Sequence, residues 1–377
     1  VTVIDADQHM FEPRTMWADH MAAGDRAAAL RIEDDHLGNA WLTWNGGRIV
    51  LADVTTPGDV DKVGNRLQRA LRGDAPEARY DDELAPAFWD PDARAAQLGQ
   101  LGVDAAVLFP NYGLAWERVL EADLAATCSN MAAWNRWAAA MAATPGDALH
   151  PVAHLTLRDA DWVVRQLAEL SAAGVKLAMI SPGLVDGRPL SHPDHDRLWA
   201  AFVEYGVTPA FHVANVTRPF DDAWFATDPE PANPALGSIF LWSGAALAIA
   251  DLTLNGVFER HPDLRLGVFE LSAVWLPLFL QYLDGGYRFH RKLHGASIVD
   301  LAAHPSEYVK RHVRVAAFAY ERPDMLLPGC GDMFMACSDY PHSEGTATPL
   351  ADYAAADLTP ASAPGLFAGN LSWLLRR

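Results

Sequence analysis

Val1–His9 reads VTVIDADQH. In a strand, alternate side chains face opposite sides. This predicts Thr2, Ile4 and Ala6 facing packed helices, with Val1, Val3, Asp5, Asp7 and His9 on the other face. Two outcomes fit this stretch alone. One is a solvated edge strand. The other is a strand ending at a barrel mouth, where Asp7 and His9, two residues apart, grip one cation.

The downstream sequence decides between them. Residues 10–89 read as an insertion or lid containing a β-hairpin, Ala40–Trp44 and Arg48–Leu51, around Asn45-Gly46-Gly47. From Asp90-Pro91, which opens a helix running to Leu101, helices and apolar strands alternate. The strands are 103–109, 150–155, 175–180, 207–212, 266–270, 313–318 and 333–338. Helices are expected over 116–143, 160–172, 193–205, 239–260 and 273–289. A second insertion covers 213–238. Continuous apolar strands suit a parallel sheet buried on both faces. Eight β/α units in 377 residues predict an α/β fold, a (β/α)8 TIM barrel with insertions after strands one and five, as one domain over 1–377. The rival, a doubly wound open sheet, usually carries a phosphate loop; neither GxGxxG nor GxxxxGK[ST] is present.

The net charge of −19 has no basic run to offset it, which excludes nucleic acid and anionic membrane as expected partners. A small-molecule substrate is expected instead. Three cysteines, Cys128, Cys330 and Cys337, form no CxxC pair. Together with the absence of a signal-peptide pattern, they predict a cytoplasmic protein. The apolar stretch Ile239–Phe258 carries Asp251 and Asn255, and reads as a buried helix.

Barrel enzymes place their chemistry at the carboxyl ends of strands. Here those ends carry Asp7 and His9, His212, Glu270, and Asp339 followed by His342. His192 and His195 lie in the loop after strand four. Glu12 is a further carboxylate. Lys176 sits at the wrong end of its strand for a metal-bridging role. Arg218 could clamp an acidic substrate, and Trp275 could wall an apolar pocket.

Three segments carry a resemblance: DADQH with Glu12-Pro13, FHV at Phe211–Val213, and SDYPHSEG at Ser338–Gly345. They resemble the amidohydrolase-related (amidohydrolase 2) branch of the amidohydrolase superfamily. The resemblance implies a distorted (β/α)8 barrel, a divalent metal, and often a homodimer. It assigns Asp7, His9, His212 and Asp339 as metal ligands, with Asp339 also taking a proton. The branch's decarboxylases have a histidine at the end of strand six, where this chain has Glu270. That departure, with the extra histidines, leans toward the branch's dinuclear non-haem iron (or iron–manganese) monooxygenases, which hydroxylate small carboxylic acids or acyl substrates in specialised metabolism. Some of Glu270, His192, His195 and His342 would complete a two-metal site. The alternative is a hydrolase or non-oxidative decarboxylase of an organic acid using a single Zn or Mn, with Asp339 and Glu270 catalytic.

Overall fold

The structure, a computed structural model, describes residues 2–214, 219–225, 234–295 and 299–377. In chain order its strands are β1 (Ile4–Met10), β2 (Arg31–Asp34), β3 (Ala40–Trp44), β4 (Gly47–Leu51), β5 (Ala105–Pro110), β6 (Leu149–His154), β7 (Leu177–Met179), β8 (Thr208–His212), β9 (Leu266–Phe269), β10 (Val313–Ala317) and β11 (Phe334–Ala336). Among the described residues, eight of them form one sheet in the order β1-β5-β6-β7-β8-β9-β10-β11, and every ladder in it is parallel. Main-chain bonds bring its two ends together: Asp339 N–H donates to the Asp7 carbonyl and His9 N–H to the Tyr340 carbonyl, each at 2.8 Å. The expected α/β barrel is what forms.

The strands are apolar because each is covered on both faces. Val107, Phe109, Val152, Met179, Ala210 and Phe269 meet inside the barrel, and Leu371, Leu374 and Leu375 from the C-terminal helical segment join them. A larger cluster lies between the strands and the surrounding helices. The helix Pro91–Leu101 shows how locally the boundaries are set. Asp90 caps it by accepting from Ala93 N–H at 2.8 Å, Pro91 begins it, and Gly102 ends it at φ 76°.

Three expectations need correction. Along β1 the expected faces are reversed up to Ala6: Ile4 and Ala6 lie inside the barrel and Val3 packs in the outer layer. The register of β1 against β5 shifts between Asp5 and Gln8. A bulge of this kind flips the phase of a strand, so Asp7 and His9 also reach the inner face. The helix expected over 116–143 starts only at Leu124, where the Asp123 side chain accepts from Ala126 N–H. The segment 239–260 divides into helices Ser243–Leu254 and Val257–Arg260 at Gly256, φ 72°.

In the first insertion, β2, β3 and β4 form an antiparallel sheet. Its hairpin turns at Asn45 and Gly46, both with positive φ (49° and 76°), as the Asn-Gly pair predicts. Leu30, Ile32 and Leu42 belong to the same buried cluster as the helices around the barrel. Ala235–Leu254 is long and apolar enough to cross a membrane by length and composition. Its second half packs Ala245, Ala248, Ile249 and Leu252 into the protein.

Candidate metal centre

Four strand ends converge at the carboxyl mouth of the barrel. The β1 bulge presents Asp7 and His9, β8 ends on His212, Glu270 follows β9, and Asp339 follows β11. His9 Nε2 lies 3.5 Å from Asp7 Oδ1, 3.6 Å from Glu270 Oε2 and 3.2 Å from Asp339 Oδ1. His212 Nε2 lies 3.4 Å from Asp7 Oδ1 and 3.3 Å from Glu270 Oε2. The side chains of Asp7, His9, His212 and Asp339 are fully buried, while Glu270 keeps 17% of its side chain exposed. Glu270 therefore marks the open side.

The two imidazoles are oriented as metal ligands are. His9 Nδ1 faces the Pro110 carbonyl at 3.2 Å, and His212 Nδ1 faces the Val213 carbonyl at 2.8 Å. A carbonyl only accepts, so each Nδ1 carries a proton and each Nε2 points inward, a lone-pair donor when the ring is neutral. Both Asp7 oxygens, Asp339 Oδ2, Glu270 Oε2 and the two Nε2 atoms are buried without a hydrogen-bond partner. Unpaired buried polar atoms are costly. Three carboxylates and two imidazoles left unpaired around one point fit a divalent cation.

The backbone is bent to make this arrangement. Glu270 and Asp339 have φ of 48° and 57°, a region that non-glycine residues rarely adopt and that clusters at functional sites. Each carboxylate is thereby turned out of its strand toward the axis. Phe109, the last inward residue of β5, packs its ring 4.1 Å from that of His212.

The electrostatics follow from crowding. Burial alone would lower the pKa of His9, but Asp339, Asp7 and Glu270 raise it well above the ordinary value. The His212 pKa is likewise raised, with burial outweighed by Asp7 and Glu270. Burial pushes Asp7 up, yet His212 and His9 hold it below the usual range. Burial and the neighbouring Asp339 raise Glu270. Without a cation, protons on the imidazoles offset the carboxylates. Ligation requires neutral imidazoles, so Mn(II) uptake at neutral pH is expected to release protons, and affinity is expected to fall as pH falls. Titration calorimetry in buffers of different ionisation enthalpy checks this; a buffer-independent heat would contradict it.

The surrounding residues hold these side chains in place. The Asp5 carboxylate accepts from Asp7 N–H (3.2 Å), Gln8 Nε2 (2.8 Å) and Ser338 N–H (2.9 Å), tying β1 to the end of β11. Burial raises its pKa to about 6. Arg94, fully buried, donates to Gln8 Oε1 at 3.1 Å and to the His9 carbonyl at 2.9 Å. Glu12 belongs to neither group of potential ligands found among the described residues and accepts from Tyr112 and Gly113 N–H at 2.9 and 3.0 Å; burial raises its pKa to about 7. His342 Nδ1 lies 2.8 Å from Asp339 Oδ1, and its Nε2 lies 2.8 Å from Asn111 Oδ1. Both its nitrogens are thus engaged, and its ring stacks on His9 at 3.9 Å.

Sequence reading missed Arg94 and Asn111. Nothing in the helix pattern singles out Arg94. Asn111 could have been found, because it lies two residues beyond the inward-facing Phe109.

The other expected residues sit elsewhere. His192 accepts from Asp194 N–H, and His195 Nδ1 faces the Pro189 carbonyl at 3.0 Å. Neither belongs to the groups of potential ligands found among the described residues. Trp275 donates its indole N–H to the Leu271 and Ser272 carbonyls and stacks on Trp242 at 5.8 Å. Arg218 lies outside the described residues.

No protein-family model matches the chain, and no curated protein matches it. Solved structures do. An amidohydrolase from Mycobacterium avium subsp. paratuberculosis K-10 is similar at 23% identity and TM-score 0.79, covering 99% of both chains. A 5-carboxyvanillate decarboxylase from Novosphingobium aromaticivorans DSM 12444, with bound manganese, is similar at 18% identity and TM-score 0.65, covering 100% of this chain and 97% of its own. A dihydroxybenzoic acid decarboxylase from Polaromonas sp. JS666, with manganese and 2-nitroresorcinol, is similar at 14% identity and TM-score 0.62, covering 100% and 97%. At these identities the likeness is one of fold.

Proposed function

We propose that this chain is a divalent-metal-dependent enzyme that hydrolyses a small organic acid or removes CO2 from it without oxidation. One metal would be held by Asp7, His9, His212, Glu270 and Asp339. The observation that carries this is the set of buried, unpartnered ligand atoms on those residues. The manganese bound by the similar decarboxylases supports the same reading. A bound divalent cation supplies Lewis-acid polarisation of a substrate oxygen.

The chain's own residues divide the remaining work. Asp5 and Arg94 fix β1, so His9 does not swing. His342 and His9 flank Asp339 and keep that carboxylate ionised: burial would raise the Asp339 pKa, but these two neighbours lower it. Glu270, the exposed member, is placed to accept or return a proton on the solvent side.

The dinuclear iron monooxygenase expected from the sequence needs a second ligand set. A second group, His9, Glu270, Asp339 and His342, does exist, but it reuses His9 Nε2, whose single lone pair serves one ion. His342, the residue it would add, is held between Asp339 and Asn111. One ion is therefore favoured.

The test is a panel of hydroxybenzoic and other organic acids with Mn(II)- or Zn(II)-loaded protein, followed by CO2 release and product analysis. Activity is expected to be the same under argon as in air. An absolute requirement for O2 would restore the oxygenase.

A further inference from the structure

We propose that Glu321 is a positioning residue for the metal centre, acting through Glu270; this rests on Glu270 being a ligand, as proposed above. Glu321 ends the short helical turn Ala319–Glu321 that follows β10, and it is 7% exposed. One of its oxygens accepts from the Ser272 hydroxyl and from Ala273 N–H, the latter at 2.9 Å. The other accepts from Phe318 N–H at 2.9 Å. Ser272 and Ala273 belong to the turn that carries Glu270 out of β9. A single carboxylate thus fastens the loop after β9 to the loop after β10.

That turn needs fastening. Glu270 and Ser272 are both left-handed, at φ 48° and 61°, with only Leu271 between them. Such conformations persist where the surroundings over-determine them. The Trp275 indole N–H, bonded to the Leu271 and Ser272 carbonyls, provides one restraint, and Glu321 provides the other.

No hydrogen bond or ion pair from a cationic side chain to Glu321 occurs among the described residues. Burying a carboxylate without a cation is costly. Two oxygens that accept three donors offset that cost here. Glutamine could not do the same, because its amide NH2 would face a donor. If the turn relaxes, Glu270 Oε2 leaves its positions 3.6 Å from His9 and 3.3 Å from His212.

The experiment measures Mn(II) affinity, by electron paramagnetic resonance of the free ion, for four full-length proteins: parent, Glu321→Gln, Glu270→Gln and the double variant. Glu321→Gln is expected to weaken binding about 10–100-fold, the usual effect of losing an outer partner of a metal ligand. In the Glu270→Gln background the same substitution is expected to change affinity less than about twofold, because the two act in series. An affinity unchanged by Glu321→Gln overturns the inference. So does an equal loss in both backgrounds, which would indicate a general effect on the fold. If Glu321→Gln does not fold, Ser272→Ala removes one of the three donors and is expected to weaken Mn(II) binding several-fold; unchanged affinity there overturns the inference too. A parent protein that takes up no Mn(II) overturns the metal reading itself, and this inference with it.

Discussion

His9→Ala is expected to abolish stoichiometric metal binding. His9 Nε2 lies within 3.6 Å of carboxylate oxygens of Asp7, Glu270 and Asp339. Its loss should exceed the about 10–100-fold that losing an outer partner costs. The consequence for the metal-free protein has the same origin. Removing His9 leaves the buried Asp7 and Asp339 carboxylates, with Glu270 beside them, short of positive charge, and uncompensated buried charge is strongly destabilising. A lower melting temperature is therefore expected alongside the lost affinity. Equilibrium dialysis against Mn(II) and a thermal melt of the metal-free protein check both halves. Full metal occupancy in His9→Ala would remove the residue from the centre.

The second large effect is expected at a position with no reactive group. A Cβ on Gly345 would fall 2.4 Å from the Asp339 carbonyl oxygen and 2.7 Å from that of Ser338. Both obstacles are backbone, so no side chain can swing aside. Gly345→Ala must displace the segment that holds Asp339 in its left-handed conformation. Overpacking of this kind costs about 1–3 kcal/mol and sometimes more. Metal affinity should fall with stability, because the displaced atoms belong to a proposed ligand's own backbone. Gly46→Ala is the control, since nothing lies within 4 Å of its Cβ position. Gly46 also has a left-handed φ of 76°, so it loses some stability but not metal. If Gly345→Ala binds Mn(II) as the parent does, the loop is not rigidly coupled to Asp339.

Much of this centre was legible in the sequence because barrel geometry is regular. Apolar runs of five to six residues ending in Asp, His or Glu place those groups at one mouth, and FHV and SDYPH could be read that way. The side-chain direction along β1 was not legible. It depends on a bulge between Asp5 and Gln8, and no residue in DADQH demands one.

Spacing also could not show which histidines reach the site. His192 and His342 look equally available on paper. The loop after β7 turns His192 toward Asp194, whereas the loop after β11 folds back and stacks His342 on His9. Long-range partners such as Arg94 and Asn111 leave no local pattern. Each sits on an ordinary element and becomes significant only when a distant strand end meets it.

The function turns on how many ions the converging ligands hold. The measurement is metal content at saturation. The purified chain is loaded anaerobically with Mn(II) or Fe(II), freed of excess ion, and assayed for bound metal and for O2 uptake on exposure to air with an organic-acid panel. One equivalent of metal per chain, with no O2 consumed, is the predicted result. Two equivalents of iron with O2 uptake would contradict it.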